Sequence, residues 1–306
     1  MSQIRFDGRV VIVTGAGNGL GRTYAKAFAA RGAKVLVNDL GGSARGGGAS
    51  TAIAQSVVDE IEAAGGEAMA NTESVEDGAR IVEAALDHFG RIDVLVNNAG
   101  VLRDAAFHKM SEEDWDIIHR VHLKGAFQVT RAAWPHLRSQ GYGRVLMTSS
   151  GAGVYGNFGQ ANYAAAKLGL FGLAQTLAIE GRSRNVLVNT IAPVAASRLT
   201  ETVIPKEVLA LLKPELVMPL VLLLSSELCP ATGQLFEIGG GCIARLRWER
   251  STALTFPSDD SFSPEVIATA WNWLQSFEGS DHPATIGDSF ALIGRHNGVK
   301  LELAPQ

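Results

Sequence analysis

A chain of 306 residues, 46% hydrophobic and 19% charged, can bury a substantial core as one large domain or two small ones and is too apolar to be disordered. Its net charge of −4 gives no electrostatic reason to expect nucleic acid or an anionic membrane as partner. Cys229 and Cys242 are too few for a disulfide scaffold, and the longest apolar run, Leu220 to Leu224, is far short of a bilayer span.

Taken in chain order, short runs of Val, Ile and Leu alternate with helical stretches. This predicts an α/β doubly wound (Rossmann) fold, a seven-stranded parallel sheet with helices on both faces. The first strand is expected over 10–14. Thr14-Gly15-Ala16-Gly17-Asn18-Gly19-Leu20-Gly21 follows it and opens a helix over 20–30. Glycine lets the backbone turn sharply and approach a pyrophosphate, whose charge meets free amides at the helix start. The second strand, 34–38, is followed by Asp39, a carboxylate placed to accept the adenosine ribose hydroxyls and to repel a 2′-phosphate. That favours NAD over NADP, although Arg22 and Arg45 keep a phosphate partner open.

Residues 41–50 hold five glycines and read as a surface loop, with closure over an adenosine as the functional alternative. A helix over 50–63, a strand over 67–71, a helix over 77–89 and a strand over 93–97 come next. The last of these ends in Asn97-Asn98-Ala99-Gly100, at the carboxyl edge where cofactors lie in open sheets. Ser111-Glu112-Glu113-Asp114 resembles a capping box for a long helix over 111–138, which Pro135 should kink or end. A strand over 144–149 leads to Ser150, and a helix over 160–180 carries Tyr163 and Lys167. Strands over 187–192 and 234–238 and a helix over 214–226 complete the alternation. The organisation expected is a catalytic domain over 1–250 and an extension over 251–306. The extension should contain one amphipathic helix with Ile267, Ala270, Trp271, Leu274 and Phe277 on one face. That face packs either on its own domain or over the substrate pocket of its own or a second subunit.

Tyr163 and Lys167 lie four residues apart, so phenol and ammonium project from the same side of a helix. A neighbouring cation favours the phenolate, and a Tyr163 so tuned can exchange a proton with an alcohol or carbonyl oxygen held by Ser150.

The glycine-rich motif, Asn-Asn-Ala-Gly, the upstream Ser and Tyr-x-x-x-Lys together resemble the short-chain dehydrogenase/reductase family over residues 5–242. Several further runs resemble more narrowly the (3R)-hydroxyacyl-CoA dehydrogenase unit of the peroxisomal multifunctional enzyme type 2 family, also called 17-beta-hydroxysteroid dehydrogenase type 4. They are Arg5-Phe6-Asp7-Gly8-Arg9, Asn38-Asp39-Leu40-Gly41-Gly42, EDWDIIHRVHL over 113–123, YGNFGQANY over 155–163 and Leu246-Arg247-Trp248-Glu249-Arg250. The resemblance implies that Tyr163 is the general base and acid, that Ser150 holds the reacting oxygen, and that Lys167 holds the nicotinamide ribose and lowers the Tyr163 pKa. It places cofactor contacts at Leu20, Asp39, Ser74, Val75, Asn98 and Ala195, Ala196, Ser197 and Arg198, beside Gly15, Asn18, Gly19, Gly21, Ala99 and Gly100 of the motifs. His122 stands where the wider family often has Asn. It is either a structural residue or a relay for protons from Lys167 through water. Pro193-Val194 replaces the usual Pro-Gly.

The implied activity is NAD-dependent oxidation of a 3-hydroxyacyl-CoA, with the (3R) epimer expected. Three alternatives stand beside it: a hydroxysteroid or steroid-acyl-CoA dehydrogenase, an NADPH-dependent 3-oxoacyl reductase, and a non-catalytic dinucleotide-binding regulator. No metal is expected, and a homodimer is implied. Neither Met1 to Arg9 nor the end at Gln306 carries a recognisable address, so a cytoplasmic protein is expected.

Overall fold

Branched apolar runs form eight strands: β1 (Val10–Thr14), β2 (Lys34–Asn38), β3 (Glu67–Asn71), β4 (Val94–Asn97), β5 (Gly143–Thr148), β6 (Val186–Pro193), β7 (Leu235–Gly239) and β8 (Cys242–Leu246). The structure is a computed structural model that describes residues 3–43, 45–195 and 210–299. The strands lie in one sheet in the order β3-β2-β1-β4-β5-β6-β7-β8, and the first seven are parallel. The eighth corrects the seven expected. It follows β7 through Gly240 and Gly241, both at positive φ, and so short a connection requires an antiparallel pair. Its residues are mostly exposed, so no buried face marks it in the sequence.

The main helices are α1 (Gly19–Ala29), α2 (Thr51–Ala63), α3 (Gly78–Phe89), α4 (Glu112–Ile118), α5 (Gly125–Gln140), α6 (Gly151–Tyr155), α7 (Ala161–Gly181) and α8 (Met218–Ser225). Side chains alternate across the sheet. Val11 and Val13 of β1 join Phe28, Ile61 and Val221 in one core, while Ile12 joins Ile81, Val129 and Leu170 in the other. Each fully buried aliphatic side chain of these layers contributes roughly 1.5–3 kcal/mol.

The long helix expected over 111–138 departs from regularity where the sequence gives no sign of it. Ser111 caps α4 by accepting the Asp114 N–H at 3.1 Å, as the capping box predicts. Residues His119–Lys124 then form a π-helical turn before α5 begins. Such widened turns occur often at functional sites. The expectation that Pro135 ends the helix is corrected, because α5 continues to Gln140 and stops at Gly141 in the left-handed region. Val129, Ala133 and Leu137 are buried against the sheet, and that packing outweighs one missing backbone hydrogen bond.

Two units divide the chain, Met1–Arg245 and Leu246–Gln306. The second contains α9 (Pro264–Leu274), capped by Ser263, and α10 (Ile286–His296), which a Thr285–Asp288 capping box starts. The expectation of one helix there is corrected to two. In α9 Ile267, Ala270 and Leu274 are half-buried and Trp271 is exposed, while the expectation that Phe277 shares this face is corrected, because the helix ends at Leu274 and Phe277 lies exposed beyond it. Among the described residues no helix is long and apolar enough to cross a membrane.

Candidate active site

The sheet reverses its strand order between β1 and β4, and the crevice at such a switch point is where open sheets bind ligands. The glycine-rich turn and the Asn98-Ala99-Gly100 turn meet there. A Cβ on Gly15 would lie 2.7 Å from the Ala99 Cα, and one on Gly21 would lie 2.2 Å from the Gly15 carbonyl oxygen. Gly15 and Gly19 also occupy positive φ. Asn98 ties the two turns together: its side-chain amide donates to the carbonyls of Thr14 and Gly15, each at 3.1 Å. The backbone N–H groups of Asn98 and Ala99 both donate to the Thr14 hydroxyl. Asn98 therefore shapes the cofactor loop rather than presenting a free amide to a ligand.

Asp39 closes the other side. Its carboxylate accepts the N–H groups of Gly17 and Gly41, each at 2.8 Å. A Cβ on Gly17 would collide with that carboxylate and with Ile53. Asn18 precedes α1 without capping it through its side chain, and the first turn, which holds Leu20, contains no acid. A backbone cradle that only glycine fits, an uncapped helix start and a half-buried carboxylate beside them match the needs of a dinucleotide. Ser74 accepts the Glu76 N–H, and Val75 packs against Gly125 in the π-helical neighbourhood. Ala195 is buried after β6, whereas Ala196, Ser197 and Arg198 lie outside the described residues.

The loop over 41–50 is hydrogen-bonded rather than open. Ser50 N–H donates to Leu40 O at its neck, and Ser43 N–H to Gly47 O near its tip. Arg103 Nε reaches the Arg45 carbonyl at 2.6 Å.

At the far end of the crevice, Ser150 caps α6 by accepting the Ala152 N–H, and its hydroxyl lies close enough to the Tyr163 phenol to lower its pKa. Lys167 is buried, its Nζ 5.5 Å from the centroid of the Tyr163 ring and 2.6 Å from the Thr148 carbonyl. The i, i+4 spacing thus delivers phenol and amine to one side, as expected. His122 packs edge-on against Tyr163 with centroids 5.2 Å apart, and its Nε2 lies 3.0 Å from Val101 N and 2.7 Å from Val101 O. Its Nδ1 is buried with no partner among the described residues, beside a small cavity that Asn97 and Lys167 also line. A Cβ on Gly100 would strike the imidazole, so that glycine is required for the ring to fit.

Electrostatics in the pocket run opposite to the simple expectation. Burial pushes the Tyr163 phenol up, the Ser150 hydrogen bond pulls it back, and the charge of Asp104 pushes it up again. Burial also brings Lys167 down to about 7. His122 is driven well below its ordinary range, first by burial and then by Lys167. Two groups of opposite charge type sharing one low-dielectric site each lose their charged form. Two contributors escaped the sequence reading. The Thr148 carbonyl carries no residue-type signal, and only the fold brings Asp104 near Tyr163.

The lysine gives a testable stability signature. Between about pH 7 and its ordinary value of 10.5 the unfolded chain holds a proton that the folded chain has released. The penalty of the buried charge is therefore complete below pH 7 and is relieved as pH rises through that window. Wild-type Tm is expected to climb by about 5 °C more than that of Lys167→Met between pH 7 and 9.5. Parallel melting curves across that range would show that the ammonium is hydrated.

The chain belongs to the short-chain dehydrogenase family. The family model, described as short chain dehydrogenase, matches residues 9–207. Peroxisomal multifunctional enzyme type 2 of Mus musculus is 58% identical over 94% of this chain and 39% of its own length. A 3-oxoacyl-[acyl-carrier-protein] reductase of Thermotoga maritima is 38% identical over 78% of this chain and its own full length. The solved structure of full-length peroxisomal multifunctional enzyme type 2 from Drosophila melanogaster superposes with a TM-score of 0.83 at 43% identity. It covers 97% of this chain and 51% of the Drosophila chain. The chain thus spans about two fifths to one half of these multifunctional relatives.

Proposed function

We propose that the chain oxidises a 3-hydroxyacyl-CoA of (3R) configuration to the 3-oxoacyl-CoA, with NAD as hydride acceptor. The observation that carries the reading is the meeting of Ser150, Tyr163 and Lys167 at one end of a crevice whose other end is the glycine cradle and Asp39. A bound oxidised nicotinamide supplies the hydride acceptor and a positive charge. Ser150 donates to the substrate oxygen, and Tyr163 takes the hydroxyl proton as the alcohol is oxidised. Lys167 would hold the nicotinamide ribose, and its ammonium, favoured by an adjacent phenolate, would in turn stabilise the charged form of Tyr163.

Asp39 supports NAD by facing the ribose position. Arg22, one of the two arginines that kept a 2′-phosphate open, is paired with Glu60 at 2.5 Å. Glu60 also binds Lys26 and is held down to about 2, chiefly by its hydrogen bond to Arg22. The acyl thioester rests on the relatives, among which the Thermotoga protein is by name a 3-oxoacyl-[acyl-carrier-protein] reductase. A panel of (3R)- and (3S)-hydroxyacyl-CoAs and hydroxysteroids, assayed with NAD and NADP, is expected to give turnover only with the (3R) thioesters and chiefly with NAD. Preference for a steroid alcohol or for the (3S) epimer removes the assignment.

We also propose a homodimer. α4, the π turn, α5 and α7 expose an open groove of about 430 Å³ lined by Leu123, Phe127 and Leu173 and edged by Asp116 and Arg120. A monomeric mass by light scattering excludes it. The named multifunctional relatives are peroxisomal, which stands against the cytoplasmic expectation from sequence. Fractionation of the source cell decides between the two.

A further inference from the structure

Asn162 is fully buried at the start of α7 and uses its entire side-chain amide. Its Oδ1 accepts the N–H of Tyr163 at 2.8 Å. Its Nδ2 donates to two carbonyls from separate parts of the chain, Arg103 at 3.0 Å and Asp114 at 2.9 Å. The first belongs to the segment after β4, the second to α4. One amide therefore fastens the backbone of the catalytic tyrosine to both walls that face it.

The Arg103 segment reaches further. Its guanidinium holds the Arg45 carbonyl at 2.6 Å and lies 3.6 Å from the Asp114 carboxylate. Two residues on, Ala105 N–H donates to Gly159 O just ahead of α7, and Gln160 donates to Asp104 at 2.8 Å. The neck of the Gly41–Ser50 loop is in turn bound to Asp39 through Gly41. Hydrogen bonds thus hold the loop at its neck, through Gly41 to Asp39, and at Arg45, through Arg103, whose own carbonyl is bound by Asn162 beside the backbone of Tyr163.

We propose that Asn162 is a positioning residue for Tyr163, bracing the phenol at the distance from Ser150 that proton transfer requires. The proposal rests on the reading of Tyr163 as base. A neutral amide is needed because it is the only side chain of this size that offers one acceptor to the helix and two donors to carbonyls. A carboxylate of equal shape still accepts the Tyr163 N–H, yet it sets negative oxygens against the two carbonyls. Asn162→Asp therefore separates helix capping from bracing.

The experiment compares wild type, Asn162→Asp, Asn162→Ser and Tyr163→Phe in the full chain. It measures kcat, KM for substrate, NAD Kd by calorimetry, and the melting transition. Bracing predicts that Asn162→Asp and Asn162→Ser keep a cooperative melt and an NAD Kd within about twofold of wild type, while kcat falls about tenfold or more. Full activity in Asn162→Asp shows that only the cap matters and overturns the brace. Loss of both NAD binding and the melt in the two variants makes Asn162 a core residue alone and overturns it equally. Retained turnover in Tyr163→Phe instead removes the base assignment, so the two failures are distinguishable.

Discussion

Tyr163→Phe is expected to lower kcat by about a thousandfold or more while leaving NAD Kd within about twofold. The substitution deletes one oxygen. That oxygen lies beside Ser150, and no described backbone element of the cofactor cradle depends on it. The ring can stay edge-on to His122, so packing is largely retained. What disappears is the hydroxyl assigned to take the proton, while Lys167 points its amine at the Thr148 carbonyl and His122 binds Val101. The pH profile of wild-type kcat/KM adds a direction. Burial holds the phenol high without cofactor, so activity should rise with pH, limited by formation of the phenolate in the NAD-bound site. Retained turnover in the Phe variant, or a profile falling as pH rises from 6 to 8, would remove Tyr163 from the chemistry.

Asp39→Arg is the second large effect, and here the structure changes what the sequence alone suggests. Ribose-site electrostatics predict a shift of preference toward NADP. The Asp39 carboxylate, however, also binds the N–H groups of Gly17 and Gly41, and so anchors the glycine turn and the neck of the loop over 41–50. Hydrogen bonds to a charged acceptor are worth about 1.5–3 kcal/mol each, and an arginine can replace neither. The ratio of NADP to NAD efficiency should therefore rise. Efficiency with NADP in the variant should still remain about tenfold or more below that of wild type with NAD. An unchanged ratio would count against Asp39 facing the ribose. A variant as efficient with NADP as wild type is with NAD would show that the carboxylate does not hold the loop.

The parallel strands, the flanking helices and the triad of Ser150, Tyr163 and Lys167 were legible because each depends on short-range pattern. Period-two and period-3.6 burial set the elements, and four-residue spacing sets a common helix face. The edge strand β8 was not legible, since its exposed residues lack a buried side. Nor was the second helix of the tail, which a Thr285–Asp288 cap starts without a conspicuous apolar run before it. At the site, the side-chain amide of Asn98 also holds the loop through Thr14 and Gly15, a tie that no spacing along the chain marks. Asn162 carried a weak sign, an amide residue at a helix start, but its two carbonyl partners lie 59 and 48 positions away in the chain.

From the residues alone came the family, the parallel strands and helices of the sheet, the glycine-rich turn and the common side of Tyr163 and Lys167, because local backbone preference and fixed side-chain spacing act over a few positions. Only the folded chain decided how those groups ionise. Exclusion of water brings the Lys167 amine down to about 7 and pushes the Tyr163 phenol up, a collective result of elements far apart in sequence. The π turn that seats His122, the double duty of Asp39 and the brace at Asn162 are likewise properties of packing. Each depends on partners that no spacing along the chain can announce.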